Sequence, residues 1–237
     1  MGSITAEADK WRAVDLTLAI AAAVIVVYGV LVLDWSVFVV IALFWFENVV
    51  IGVLNVAKML IAGARIGTLG LIGALALATF FTVHYGMFTV GHGVFVASLF
   101  GKAELGGSLD GLFAPLGRML QYLLSDRDGW LAAAGIALLQ VAAFVRWSMA
   151  TRVTPAALPN LMFAPYGRIV VLHVTIIVSG ILVGMLKQPV LGALLLVALK
   201  LIFDIATVSR PVTGKLRSPL LPIPSLINSR GDDATRP

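Results

Sequence analysis

From Trp35 to Ile61 the chain reads WSVFVVIALFWFENVVIGVLNVAKMLI, an apolar run interrupted by Glu47, the amides Asn48 and Asn55, and Lys58. A helix needs about 20 mostly apolar residues to cross the roughly 30 Å hydrocarbon core of a bilayer, and this run exceeds that length. In hydrocarbon every backbone N–H and C=O must find its partner within the protein, so such a run folds as a helix. The reading sets the class for the whole chain, because runs of the same kind recur on both sides of it.

Working outward, the apolar runs predict about six spans, near residues 14–33, 35–61, 68–93, 130–149, 169–186 and 190–208, within a transmembrane domain covering 13–209. The third run continues as far as Phe100, longer than a bilayer requires, and is expected to tilt, kink or break near Gly86 or Gly91-His92-Gly93. Residues 109–124 carry leucines at helical spacing interrupted by Arg118 and Gln121, the pattern of an amphipathic helix lying on the outer interface. Between the fourth and fifth spans, RVTPAALPNLMFAPYGR has three prolines and reads as an extended loop. The fold class is therefore all-α, a polytopic transmembrane bundle with one interfacial helix.

Composition supports the class. Hydrophobic residues make up 60% of the chain and charged ones 12%, with a mean hydropathy of +1.01, against about 45–50% and about 25% in soluble domains. The absence of cysteine excludes disulfides, thiolate metal sites, a cysteine nucleophile and c-type haem attachment. The net charge of +5 lies between apolar runs, with no basic stripe, so no nucleic-acid partner is expected.

The basic residues report orientation instead. Lys10, Arg12, Lys58, Arg65, Arg146, Arg152, Arg168 and the five in the tail fall on one side; Lys102, Arg118, Arg127 and Lys187 fall on the other. Cytoplasmic loops are enriched in Lys and Arg, which places the N-terminus (1–12) and the proline-rich tail (210–237) in the cytoplasm. The first ten residues are polar and mixed in charge and lead into a full-length apolar segment with no small-residue cleavage site, so no removable signal peptide is expected.

Ionisable side chains cost at least about 2.5–3.5 kcal/mol at the centre of a membrane helix, which makes those present the candidate functional residues. Glu47, His84, His92, His173 and Asp204 are candidate metal ligands, since a cysteine-free site for a divalent metal uses imidazole and carboxylate. Asn48, Asn55, Lys58 and Lys200 are supporting polar groups.

Helix rise argues against one site. Measured from the assigned cytoplasmic ends, Asp204 and His173 lie about 7–9 Å deep, Lys200 about 13 Å, Glu47 and His84 about 22–24 Å and His92 about 36 Å. Two layers are expected. The middle one holds Glu47, Asn48 and His84, as a carboxylate-histidine pair, a proton site or part of a metal site. The inner one holds Asn55, Lys58, His173, Lys200 and Asp204, where Lys200 and Asp204 stand four apart on one helix face and can neutralise each other without any function. His92 stands apart, wetted near the outer interface.

Three segments carry a resemblance: WFENVVIGVLNVAKML from Trp45 to Leu60, HYGMFTVGHGVFV from His84 to Val96, and APYGRIVVLHVTIIVSGILVG from Ala164 to Gly184. Across about residues 15–210 the chain resembles the bacterial membrane proteins grouped as DUF6498, a family of unknown function. The resemblance implies a multi-helix fold in a bacterial cell inner membrane, and neither an activity nor catalytic residues. Two functions follow from the residues: an intramembrane site that binds a metal ion or relays protons, or a non-catalytic accessory subunit of a larger membrane complex. Expected partners are the lipid bilayer and other membrane subunits or further copies of the chain.

Overall fold

In the computed structural model the described residues are 2–106, 111, 113–150, 157–167, 169–170, 173–174, 177–178 and 189–208, with backbone alone at 2–12, 15, 19, 150, 157, 189–192, 203–204 and 206–208. All regular structure among them is helical. Three helices are long and apolar enough to cross a membrane: α2 (Val37–Ile66), α3 (Thr68–Phe100) and α6 (Arg127–Ala150). Shorter apolar stretches, Leu16–Val32 and Ala193–Ile202, belong to α1 (Gly2–Val32) and to the last helix, α8 (Pro189–Val208). The tail 210–237, the Lys187-Gln188 turn and most of the expected fifth span lie outside the described residues, although 169–170, 173–174 and 177–178 are helical.

The centre of the molecule is α2. Two thirds of its most apolar window, 67%, is buried, against 22% for α3 and for α6, so α2 is wrapped by other helices while its neighbours turn apolar side chains outward. Leu69, Ile72, Phe80, Val83 and Met87 of α3 and Leu131, Leu138 and Val145 of α6 are all exposed. Ser36 caps the start of α2 by accepting from the Val39 amide. Gly67 alone joins α2 to α3, at φ 118°, a left-handed backbone that glycine adopts without a side-chain clash. A one-residue link makes the two helices an antiparallel hairpin, and Gly63 lets them touch: a Cβ there would stand 2.3 Å from Ala74 Cβ and 2.8 Å from the Gly70 carbonyl oxygen.

Two expectations change. The long third run does not break at Gly86 or at Gly91-His92-Gly93 but continues as one helix to Phe100, because each internal glycine costs a helix only about 1 kcal/mol. The prolines after α6 do not enforce an extended loop. Ala157–Phe163 forms a short helix, α7, with Pro159 in its first turn where no helical N–H is needed. Its Leu158, Leu161 and Met162 pack with Met59, Ala78, Phe81, Tyr85 and Trp147 in the second of two hydrophobic clusters. This segment therefore enters the bundle.

The remaining pieces are α4 (Lys102–Leu105) and α5 (Ala114–Ser125). α5 is amphipathic, as its sequence predicts, but its buried residues Leu116, Met119 and Leu123 join the larger hydrophobic cluster built on α2, and Phe38 meets Tyr122 at 5.7 Å between ring centroids. Asp126 then starts α6: its carboxylate accepts from the backbone amides of Asp128 at 3.1 Å and Gly129 at 3.0 Å.

Candidate functional site: two buried polar pairs

Glu47 sits in the middle of α2 and is 4% exposed. Its carboxylate meets the Lys200 ammonium of α8 at 3.1 Å, and Gln140 of α6 donates its side-chain amide to the other oxygen at 2.8 Å. The ammonium also lies 5.3 Å from the Phe44 ring centroid. A small cavity beside the pair is lined by Ala22, Ala23 and Val26 of α1, Ile136 of α6, and Val197 and Leu201 of α8, together with Phe44, Glu47 and Lys200. Four helices thus converge on one acid and one base.

The expected partners were different. Glu47 does not meet His84, and Lys200 is engaged by Glu47, whereas the Asp204 side chain lies outside the described residues. The reason is rotational: Glu47 projects from α2 toward α6 and α8, while α3, which carries His84, packs along the face bearing Trp45, Asn48 and Gly52. Gln140 was not singled out from sequence. Its signal is a lone amide in the apolar run GIALLQVAAFV.

The face of α2 toward α3 carries a ladder of polar contacts. Trp45 donates its indole N–H to the Thr89 carbonyl at 2.8 Å, and Tyr85 donates its hydroxyl to the Asn48 carbonyl at 3.0 Å. Asn48 donates its side-chain amide to the Phe44 carbonyl at 2.8 Å, while its buried Oδ1 has no hydrogen-bond partner among the described residues. Gly52 makes room for the Tyr85 ring, which would lie 2.6 Å from a Cβ. These bonds clamp α3 onto α2.

Asn55 has a structural task. Pro165 lacks an N–H and so cannot donate to the Leu161 carbonyl four residues earlier, as a helix would require. Asn55 supplies the missing donor across the bundle, at 2.9 Å. Lys58 lies 5.6 Å from the Trp147 ring centroid. Histidine 84 is packed among rings, stacked on Phe80 at 5.3 Å and beside Phe88 at 5.1 Å and Tyr166 at 5.7 Å.

The second pair joins residues that helix counting had placed about 27–29 Å apart in depth. His92 Nε2 lies 2.7 Å from His173 Nδ1, with the rings edge to face, and His92 Nδ1 lies 2.7 Å from the Phe88 carbonyl oxygen. A carbonyl only accepts, so His92 Nδ1 carries a proton. In the neutral pair His92 Nε2 is then the acceptor, His173 Nδ1 the donor, and His173 Nε2 keeps its lone pair. His173 lies farther along α3 than a span starting at the membrane surface at residue 169 would carry it. α7 already carries the chain inward, so Tyr166 reaches Phe81, His84 and Tyr85, and His173 reaches His92 two turns on.

The five candidate ligands therefore do not form one centre. Glu47 belongs to the pair with Lys200, His92 and His173 to the second pair and His84 to the aromatic cluster. Among the described residues no three His, Asp or Glu side chains come together as a metal ion would require.

No curated protein and no solved structure matches the chain. Residues 5–219 match a family of unknown function, and with nearly the whole chain covered the protein belongs to that family, DUF6498.

Proposed function

We propose that this protein is an integral membrane protein of a bacterial inner membrane, crossing the bilayer about six times with both termini in the cytoplasm, and that it relays protons through the Glu47–Lys200 pair. The observation that carries the reading is the 3.1 Å contact between these two groups deep inside an apolar bundle, with Gln140 holding the second carboxylate oxygen. Stability alone is a weak reason for such a pair, because well-packed apolar residues of similar volume are often as stable or more so.

The chemistry suits proton transfer. Across a direct contact, one proton moving from the ammonium to the carboxylate turns two charges into two neutral groups, and a low dielectric disfavours the charged form. Gln140 keeps one carboxylate oxygen occupied, which leaves the other oriented toward Lys200. The adjacent cavity opens on both groups, and a site of that size with polar partners accommodates about one water molecule, which can exchange a proton with either group.

Purified protein in liposomes holding a pH-sensitive dye tests the reading. With a pH gradient imposed and the membrane potential clamped, wild-type vesicles should lose the gradient faster than Glu47→Gln or Lys200→Met vesicles. Equal decay in wild-type, variant and protein-free vesicles would overturn it.

A further inference from the structure

The histidine pair is not used by the proton reading, and its geometry excludes a through relay. The proton on His92 Nδ1 points at the Phe88 carbonyl, which cannot pass it on. What the pair does is orient a ligand atom. His173 is directed by its Nδ1–H toward His92, so its Nε2 lone pair faces away from the pair, and His173 itself is exposed.

This is the arrangement of metal-ligating histidines, whose second ring N–H is held by an acceptor that fixes the tautomer and raises the basicity of the ligating nitrogen. Among the described residues no further His, Asp or Glu completes a set of three. A bare divalent ion, which takes several protein ligands, is therefore poorly served. A metal complex that brings its own equatorial donors needs only one imidazole.

The surroundings select the kind of complex. Val170 and Ile177, on the helix turns either side of His173, are 60% and 48% exposed, and Phe88 and Phe95, flanking His92 on α3, are 43% and 47% exposed. The imidazole thus emerges on an apolar and aromatic flank suited to a flat, largely hydrocarbon macrocycle.

We propose that His173 Nε2 is the axial ligand of an iron porphyrin seated on this flank, with His92 as a positioning residue that holds the imidazole by its other nitrogen. The site is separate from Glu47 and Lys200, and the proposal stands whether or not those residues carry protons.

The test is a titration of the full-length protein in detergent with ferric protoporphyrin IX, followed by absorbance in oxidised and reduced forms. Wild type should bind about one equivalent with the Soret and visible bands of an imidazole-ligated iron, distinct from haem in empty micelles. His173→Ala should lose these bands and regain them on addition of free imidazole. Co-elution of the imidazole-ligated haem with the variant protein on gel filtration, apart from haem and imidazole in empty micelles, separates loss of the ligand from loss of the fold. His92→Ala should keep the band positions and bind about 10–100-fold more weakly. Spectra of His173→Ala indistinguishable from wild type, or wild-type spectra no different from haem in micelles alone, would overturn the proposal.

Discussion

Glu47 and Lys200 each give up hydration when they enter the bundle, and each depends on the other to offset that cost. Removing one partner from a buried pair typically costs about 3–5 kcal/mol, while replacing both with apolar groups can be neutral or stabilising. Glu47→Gln and Lys200→Met are therefore expected to lower the unfolding midpoint in detergent sharply. Glu47→Leu combined with Lys200→Met should recover most of the loss, and a double mutant as unstable as the sum of the singles would contradict the pairing. Tyr122 offers a second test at this scale. Burial first, then the carboxylates of Glu104 and Asp126, push its phenol above the usual tyrosine range. A raised folded-state value means the folded protein holds the proton more tightly, so this contribution is intact below about pH 10, the unfolded value, and is lost as pH rises through the folded one. Tyr122→Phe should flatten the alkaline end of the stability profile, measured by tryptophan fluorescence, with no change at neutral pH.

At the scale of elements, the α2–α3 hairpin and the proline kink after α7 depend on particular side chains. Gly63 faces Ala74 and the Gly70 carbonyl at distances no Cβ can occupy, whereas nothing lies within 4 Å of a Cβ at Gly73. Gly63→Ala should then force the helices apart and destabilise by about 1–3 kcal/mol. Gly73→Ala should be neutral or stabilise by up to about 1 kcal/mol, since alanine is the better helix former. The two variants compared by thermal unfolding separate a packing role from helix propensity. The kink offers a cycle of its own. Asn55→Ala leaves the Leu161 carbonyl unpaired and should cost about 1–3 kcal/mol. In a Pro165→Ala background a backbone N–H returns to serve that carbonyl, so the same change should cost much less. Equal cost in both backgrounds would show that Asn55 does not complement the proline.

For the whole molecule the question is topology. α2 is enclosed while α3 and α6 present apolar side chains outward, an arrangement that hydrocarbon around the bundle would stabilise and water would not. The proposed topology, six spans with cytoplasmic termini, would place the Gly67 link on the same side as both ends, and Asp34 and Gly106 on the other. Because the chain has no cysteine, single cysteines introduced at those positions report their side directly. In intact cells a membrane-impermeant maleimide should label positions 34 and 106, and label 67 only after lysis. Labelling of 67 in intact cells would invert the orientation.

Hydropathy alone was enough to make the chain helical and to mark out the three long apolar helices α2, α3 and α6, because a segment of that length and composition has few other ways to satisfy its backbone. It also singled out Glu47, Asn48, His92, His173 and Lys200, since a polar group stands out in an apolar run at any depth. Which of them meet was decided by tertiary structure. Partnership depends on the direction a side chain leaves its helix and on the height at which neighbouring helices are set, and a single sequence records neither. Rotation of α2 turned Glu47 away from His84 and toward Lys200 and Gln140. The inward course of α7, through a segment whose prolines read as a loop, raised His173 to the level of His92.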